Sequence, residues 1–396
     1  AASDVYKRQA RAVERELRRQ GLPPIRRAEV LTPVFYRSKG AYVIGKLWTD
    51  TRTLPLVLAL THPPAGVTVD AVLLDEEEVS IVFSFAHWYF LVLMDRPYDV
   101  VRFLKTLLPR KRLSELYTAV GYHKHGKTEF YRELLQHLSQ SDDRFVPAPG
   151  EPGAVMTVFT LPHFEAVFKV IKDRFDYPKR TSRRTVMEKY CLVFKHDRAG
   201  RLVDTQEFEH LRFDRDRFDP DLLRELQTVA ARTVEVDAAS VVIRHVYIQR
   251  RVTPLNLYIR TADDAAVRAV VEEYGRAIKD LARTNIFPGD LLIKNFGVTR
   301  HRRVVLYDYD ELCLVTDLHF RSKPPPRDDW EYLLDEPWYP VRPTDVFPEE
   351  LLRFTEFPEP WRSEFVRSHG DLGSLTFWQD VQARLRQGEI FDIFPY

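Results

Sequence analysis

The chain has 396 residues, too many for one ordinary domain and comfortable for two, and its 44% hydrophobic and 12% aromatic content excludes a disordered polypeptide. A formal net charge of +1 gives no reason to expect nucleic acid or a membrane surface as partner. Two cysteines, Cys191 and Cys313, argue against a disulfide framework and suit a reducing cytoplasm, and neither a transmembrane-length apolar run nor a signal-peptide pattern is visible.

Residue 1 is Ala, and Ala1 to Gln9 read as cloning or assembly residue ahead of a charged helical pattern, Arg11 to Arg19. Apolar, aromatic-rich runs over 31–60, around Ser38-Lys-Gly40, predict a strand pair with a turn, and Thr61-His-Pro-Pro-Ala-Gly66 breaks the pattern. Val79 to Phe85 reads as a strand and Tyr98 to Leu108 as a helix. Helical patterns then flank Gly121 to Lys127 between Leu113 and Leu138, and the polar joint Ser139–Asp143 marks a domain boundary.

From Arg144 the texture changes to short β runs. Ala148-Pro-Gly-Glu-Pro-Gly-Ala154 precedes Val155 to Thr160, and after a turn at Leu161–Phe164 comes Ala166-Val-Phe-Lys-Val-Ile-Lys172, a hairpin with Lys169 in its second strand. Alternation puts Lys172 on the opposite face from Lys169. Asp204-Thr-Gln-Glu-Phe-Glu209 reads locally as a helix start, with Asp204 as cap and Glu207 at the capping-box position. Glu207 or Glu209 is also a candidate ion-pair partner for Lys169. Pro220 to Ala231 is helical with Asp219 as cap. Val241 to Val252 supplies two strands or one long one, and Thr253-Pro-Leu-Asn256 kinks the chain. Ala262 to Ala282 is an amphipathic helix with Val267, Val270, Val271, Tyr274, Ile278 and Leu281 on one stripe. A proline-rich loop, Lys323–Arg327, and short helices marked by Trp330, Trp338, Trp361 and Trp378 follow.

That helix leads into Asp290-Leu-Leu-Ile-Lys-Asn295, which fits D-L-x-x-x-N, the core of a protein-kinase catalytic loop. Asp308 follows eighteen residues after Asp290, behind the apolar run Val304–Tyr307, where a kinase carries its metal-binding acid. Phosphoryl transfer needs charge neutralisation on the phosphates, a metal and a placed acceptor hydroxyl. Lys169 suits the α/β-phosphates, and Lys294 is near enough to steady the γ-phosphate. Residues 148–154 offer backbone amides to phosphate, although Pro149 and Pro152 each remove one N–H and the segment is not G-x-G-x-x-G. Asp310 replaces the glycine of D-F-G. On an extended segment it faces the same way as Asp308, so both acids can reach metal or water. The basic groups Arg110–Arg112 and Lys179–Arg184 read first as solvated surface, with a nucleotide or acidic-protein contact as the minority reading. The order of elements predicts an α+β chain, a bilobed protein-kinase-like domain over 141–396 (lobes about 141–252 and 253–396) preceded by a mixed, mainly helical domain over 1–140.

These residues resemble one family, the bacterial isocitrate dehydrogenase kinase/phosphatases. The stretches that carry the resemblance are Gly126–Arg132, Phe168–Arg174, Asp204–Phe208, Asn285–Asp290, Lys294–His301, Tyr307–Glu311, Pro324–Arg327, Glu336–Tyr339 and Asp345–Glu350. Full-length members are longer, so the chain is expected to lack the start of the regulatory domain and a short basic tail. The resemblance implies a cytoplasmic enzyme that phosphorylates a serine of isocitrate dehydrogenase and removes that phosphate at the same nucleotide site, switching carbon between the citric acid cycle and the glyoxylate bypass. It implies that Ala148, Pro149, Gly150, Glu151, Pro152, Gly153, Ala154 and Lys169 bind ATP or ADP, that Asp290 is the kinase base, and that Asn295 and Asp308 bind Mg²⁺. Asp204 would serve the phosphatase reaction, with Asp310 a further candidate there and at the metal. AMP would act as an allosteric effector through the N-terminal domain. Two rivals are a catalytically weak nucleotide-binding regulator with a kinase-like fold and a small-molecule phosphotransferase.

Overall fold

The computed structural model describes residues 24–85, 89–176, 179, 181–325, 339–353 and 355–396, with scattered positions between 11 and 21. Apolar alternation between residues 25 and 73 builds five antiparallel strands, more than the expected pair. They are β1 (Ile25–Val30), β2 (Phe35–Arg37), β3 (Gly40–Thr49), β4 (Thr53–Thr61) and β5 (Thr68–Leu73), in the order β1-β3-β4-β5 with β2 also on β3. Phe35, Tyr42, Ile44, Val57 and Leu73 share a core with Val79, Val101, Leu104 and Leu116 from the helices Glu76–Val82, Pro97–Leu107 and Leu113–Ala119. The first of these helices corrects the strand expected over Val79–Phe85. The Asp75 carboxylate accepts the amide N–H groups of Glu77 and Glu78, and three acids fill the first turn. That cap and the helix dipole outweigh the β preference of Val79, Ile81 and Val82.

A second antiparallel sheet holds β6 (Val146–Pro147), β7 (Met156–Leu161), β8 (Phe164–Ile171), β9 (Thr205–Asp214), β10 (Val234–Val236) and β11 (Ser240–Arg250). The expected β7–β8 hairpin forms, and β11 is one long strand. The helix start expected at Asp204 is instead the beginning of β9. Phe208, Leu211 and Phe213 are buried, and nine aligned pairs with β11 satisfy the backbone that a helix would have satisfied internally. A helix over Arg183–His196 is present where only a basic surface was read. Ser182 caps it, and Val186, Tyr190 and Val193 are buried at helical spacing.

After the kink at β12 (Thr253–Pro254), the helices Leu255–Thr261 and Asp264–Arg283 begin a mainly helical lobe. Asp263 caps the second, and all six residues of the expected stripe are buried. Trp361 opens a helix to His369, and Trp378 lies within another, Leu375–Arg386, stacked on Phe320 at 5.1 Å. The proline-rich stretch from Pro326 on, Trp330 and Glu336–Trp338 fall outside the described residues, as does Ala1–Gln9.

The first domain is held against the second sheet by apolar and ionic contacts. Helix His123–Gln140 lays Leu134 and Leu138 into the core that contains Phe145, Phe159 and Phe168. Lys127 donates to the Glu207 carbonyl at 2.6 Å, and Glu115 meets Arg250 of β11 at 3.0 Å. Burial alone would raise the Glu115 pKa, but Arg250, Lys111 and the Arg112 amide outweigh it and hold the carboxyl down at about 2. From the far end of the chain, Lys39 pairs with Asp392 at 2.8 Å and the Tyr396 hydroxyl reaches Asp70 at 2.8 Å.

Glu115→Gln removes the main counter-charge shared by three cations at this junction and should destabilise the protein by about 2 kcal/mol at pH 7. Glu115 is held below its ordinary value of 4.5, so its contribution is full above that pH and fades as pH falls towards 2. Thermal melts at pH 7 and pH 2 should therefore show a large gap between variant and wild type at the first pH and a small one at the second.

Candidate active site

The acid–amide loop hangs from the long helix. At its start Asn285 adopts φ 67, and its side chain accepts from the Thr316 amide at 3.0 Å and donates to the Thr316 hydroxyl at 3.1 Å. Tyr274 donates to the Leu291 carbonyl at 2.5 Å, fixing the loop to the helix core. Gly289 sits at φ +91, and a Cβ there would lie 2.2 Å from the Glu311 Cβ, so only glycine permits this approach. The approach brings Asp290 beside Glu311. Asn295 donates its side-chain N–H to the Asp290 carboxylate. Burial, then the charge of Glu311, pushes the Asp290 carboxyl above its usual value.

The hairpin of β14 (Phe296–Val298) and β15 (Val304–Leu306) delivers the next acids. The amides of Tyr307 and Asp308 both donate to the Asn295 carbonyl, at 3.1 and 3.4 Å, which locks the segment to the loop. Tyr309 is fully buried and donates to the Val203 carbonyl at 2.6 Å, while Asp308 and Asp310 on either side line the cleft. Burial and the neighbouring Asp308 charge push Asp310 well above the usual carboxylate range.

Lys169 arrives from β8. It is buried, donates to the Tyr307 carbonyl at 2.7 Å, and lies within reach of the charges of Asp308 and Asp310. Burial lowers its pKa and the two acids pull it back up. Neither Glu207 nor Glu209 is its ion-pair partner. Glu207 is bonded to His245 at 2.6 Å and Glu209 is exposed, because β9 pairs with β11 and does not form the helix that would have aimed them. Lys172 does not take the opposite face expected of it: it follows the end of β8 at Ile171, lines the same cleft as Lys169, and pairs with Asp176 at 2.7 Å.

One cleft of about 1220 Å³ is lined by every candidate: residues 148–154, Lys169, Asp204, Asp290, Lys294, Asn295, Asp308 and Asp310. The 148–154 loop closes over it, with Glu151 paired to Lys294 at 3.0 Å. Asp204 lines the same cleft, and its charge reaches Lys111 of the first domain and Tyr309. Beyond it the cleft continues to a basic wall that includes Arg110, Lys111, Arg112, Arg250 and Arg300.

Three contributors escaped the sequence. Gln249, buried on β11, donates to the Thr205 hydroxyl at 2.8 Å and to the Tyr307 carbonyl at 3.2 Å, tying the sheet to the acid segment. Arg201 bridges Glu273 at 2.5 Å and Asp280 at 2.9 Å, anchoring the Asp204 loop to the long helix. Lys179, in a run read as surface, lines the cleft and is bonded to Glu311. Only the basic or polar character of these residues is visible locally; their partners are between 44 and 132 positions away.

Among the described residues no group of three His, Cys, Asp or Glu side chains is arranged to hold a metal unaided. Asp310 nevertheless has a buried carboxylate oxygen without a hydrogen-bond partner, in a site where Asp308 and Asn295 are also exposed to the cleft. Two carboxylates and an amide oxygen form a hard donor set that fits Mg²⁺, which takes its remaining ligands from phosphate and water.

The kinase domain of isocitrate dehydrogenase kinase/phosphatase (AceK) matches residues 143–396, and the regulatory domain of the same family matches residues 2–142. An isocitrate dehydrogenase kinase/phosphatase of Anaeromyxobacter sp. (strain Fw109-5) is 56% identical over 373 residues, covering 94% of this chain and 65% of the relative. Its counterpart in Anaeromyxobacter dehalogenans (strain 2CP-C) is 55% identical over 399 residues, covering 97% of this chain and 68% of the relative. The chain thus spans about two thirds of the length of these curated relatives. A solved ROP18 kinase domain in complex with AMP-PNP and sucrose covers 66% of this chain and 91% of its own at 12% identity, with a TM-score of 0.30, too low to bear on the fold.

The crowded acids predict a trade of stability for charge. Asp310→Asn should raise stability at pH 8 by about 1–3 kcal/mol, because the folded protein then no longer ionises a buried carboxyl beside Asp308. The sign follows from a raised folded-state pKa: stability from the neutral carboxyl is complete below the unfolded value and is lost as pH rises through the folded one. Denaturant titration at pH 8 and pH 4 should show the variant ahead at the higher pH and level at the lower; a variant less stable at pH 8 would contradict the reading.

Proposed function

The chain belongs to the isocitrate dehydrogenase kinase/phosphatase family, and on that premise we propose that it transfers the γ-phosphoryl group of ATP to a serine of isocitrate dehydrogenase and hydrolyses the resulting phosphoserine at the same site. The observation that carries this reading is the meeting of Lys169 with Asp308 and Asp310, opposite the hydrogen-bonded Asp290 and Asn295, in one cleft. By switching isocitrate dehydrogenase off and on, such an enzyme in the cytoplasm sets the flow between the glyoxylate bypass and the citric acid cycle. No described helix is long and apolar enough to cross a membrane.

In the kinase direction the serine oxygen attacks the γ-phosphorus and its proton passes to Asp290. The bond to the β–γ bridging oxygen breaks, with its electron pair leaving on ADP. The raised pKa of Asp290 suits a proton acceptor, since burial makes the carboxylate more basic while the Asn295 amide keeps it aimed. Lys169 offsets charge on the α/β-phosphates and Lys294 steadies the γ-phosphate. The 148–154 loop covers the phosphates and excludes water. Asn295, Asp308 and Asp310 would hold Mg²⁺, which supplies further charge neutralisation when bound. In the phosphatase direction a water replaces the serine as nucleophile, and Asp204 and Asp310 are the acids assigned to orient it. AMP is assigned as effector, and the basic wall between the two domains offers its phosphate a cationic surface.

The direct test incubates the purified chain with isocitrate dehydrogenase, Mg²⁺ and labelled ATP, then chases with unlabelled ADP. Label should enter and then leave. Asp290→Ala should cut entry by roughly 10²–10⁴-fold. Asp204→Ala should let label enter and retain it. Nucleotide binding without label transfer would instead make the chain a binding module with a kinase fold.

A further inference from the structure

Lys179 lies after β8 and lines the cleft, yet nothing above gives it work. Its Nζ is bonded to the Glu311 carboxylate, and the other charges that reach it are Asp310 and Asp290. It therefore stands at the Asp290 end of the acid cluster, while Lys169, reached by Asp308 and Asp310, stands at the other. Burial alone would lower its pKa, but the bond to Glu311 and the two aspartate charges outweigh burial and keep the ammonium protonated.

Lys294, on the acid–amide loop itself, shows the same arrangement. Its ammonium is also held by a glutamate from a neighbouring loop, Glu151 at 3.0 Å. Each of these two lysines thus has a carboxylate on it inside a cleft whose expected ligand carries phosphate. Partly exposed pairs of this kind, with side chains 27% and 47% accessible for Lys179 and Glu311, add little to stability, about 0–1 kcal/mol. A phosphoryl group carries more charge than a carboxylate and can displace it from an ammonium.

We infer that Lys179 is a further catalytic residue of the transfer proposed above, leaving Glu311 to bind non-bridging oxygens of the phosphoryl group as it passes Asp290. The inference rests on that proposed activity. Lys179 gains and loses no proton. The new P–O bond is made by the serine oxygen, the old one breaks towards ADP, and the serine proton goes to Asp290; the ammonium offsets charge on the oxygens in between. With Lys169 on the α/β-phosphates, the group in flight is then flanked by Lys294 and Lys179.

The experiment measures labelled transfer from ATP to isocitrate dehydrogenase for wild type, Asp290→Ala, Lys179→Ala, Lys179→Arg and Glu311→Gln, each checked for folding by thermal melt. Transfer that vanishes in Asp290→Ala establishes the activity independently of Lys179; if it is absent in wild type, the activity and this inference fall together. Given the activity, Lys179→Ala should lower kcat at least tenfold with the melting temperature unchanged, and Lys179→Arg should recover most of the loss. Glu311→Gln separates contact with phosphate from bridging between loops: it removes the bridge together with one charge that raises Asp290, and should cost kcat less than Lys179→Ala does. Lys179→Ala within twofold of wild type, or Glu311→Gln as impaired as Lys179→Ala, would overturn the inference.

Discussion

Three carboxylates, Asp290, Asp308 and Asp310, line one partly dry cleft, and Glu311 lies against them; their mutual repulsion governs what surrounds them. Like charges held in a medium of low effective dielectric must be neutralised, protonated or paired with cations. The chain uses all three routes: Asn295 donates to Asp290, Asp310 is pushed towards its neutral form, and Lys169 and Lys179 are drawn to opposite ends of the cluster. Such a site is costly as a structural element and useful as a receptor for metal-bound phosphate, which brings the positive charge the site lacks and the negative charge its lysines await. The scaffold answers to this constraint. Gly289 allows the close approach to Glu311, Tyr274 holds the loop, and Tyr309 buries its ring between two acids that face the opening.

Much of this was legible in the sequence because the signals are local. The six-residue stripe of the long helix, the cap at Asp219 and the hairpin carrying Lys169 depend on neighbours a few positions away, and the structure forms them; Asp290, Asn295 and Asp308 line one cleft. The misread segments are those where local and distant preferences compete. Asp204–Glu209 has the letters of a capping box, but a nine-pair ladder with β11 claims its backbone. Val79–Phe85 has β-branched letters, but Asp75 starts a helix before them. Lys179, Gln249 and Arg201 gave no local signal, since each acquires its meaning from a partner brought near by the fold.

The contact between the two domains places the first domain within reach of the chemistry. Glu115 pairs with Arg250 on the strand next to the one bearing Lys169, and Lys127 binds the backbone of β9 just beyond Asp204. Arg201 fixes the same loop to the long helix from the other side. The first domain thus meets the strand that starts beside Asp204, whose charge reaches Lys111.

The central claim is that the acid cluster and its lysines form a nucleotide–metal site. The most direct measurement is a crystal structure of the chain with Mg²⁺ and a non-hydrolysable ATP analogue. The account predicts phosphates between Lys169 and Asp290 under the 148–154 loop, a metal ion on Asn295 and Asp308, and Glu151 and Glu311 displaced from Lys294 and Lys179. A nucleotide bound only at the basic wall between the domains, with both glutamates still on their lysines, would contradict it.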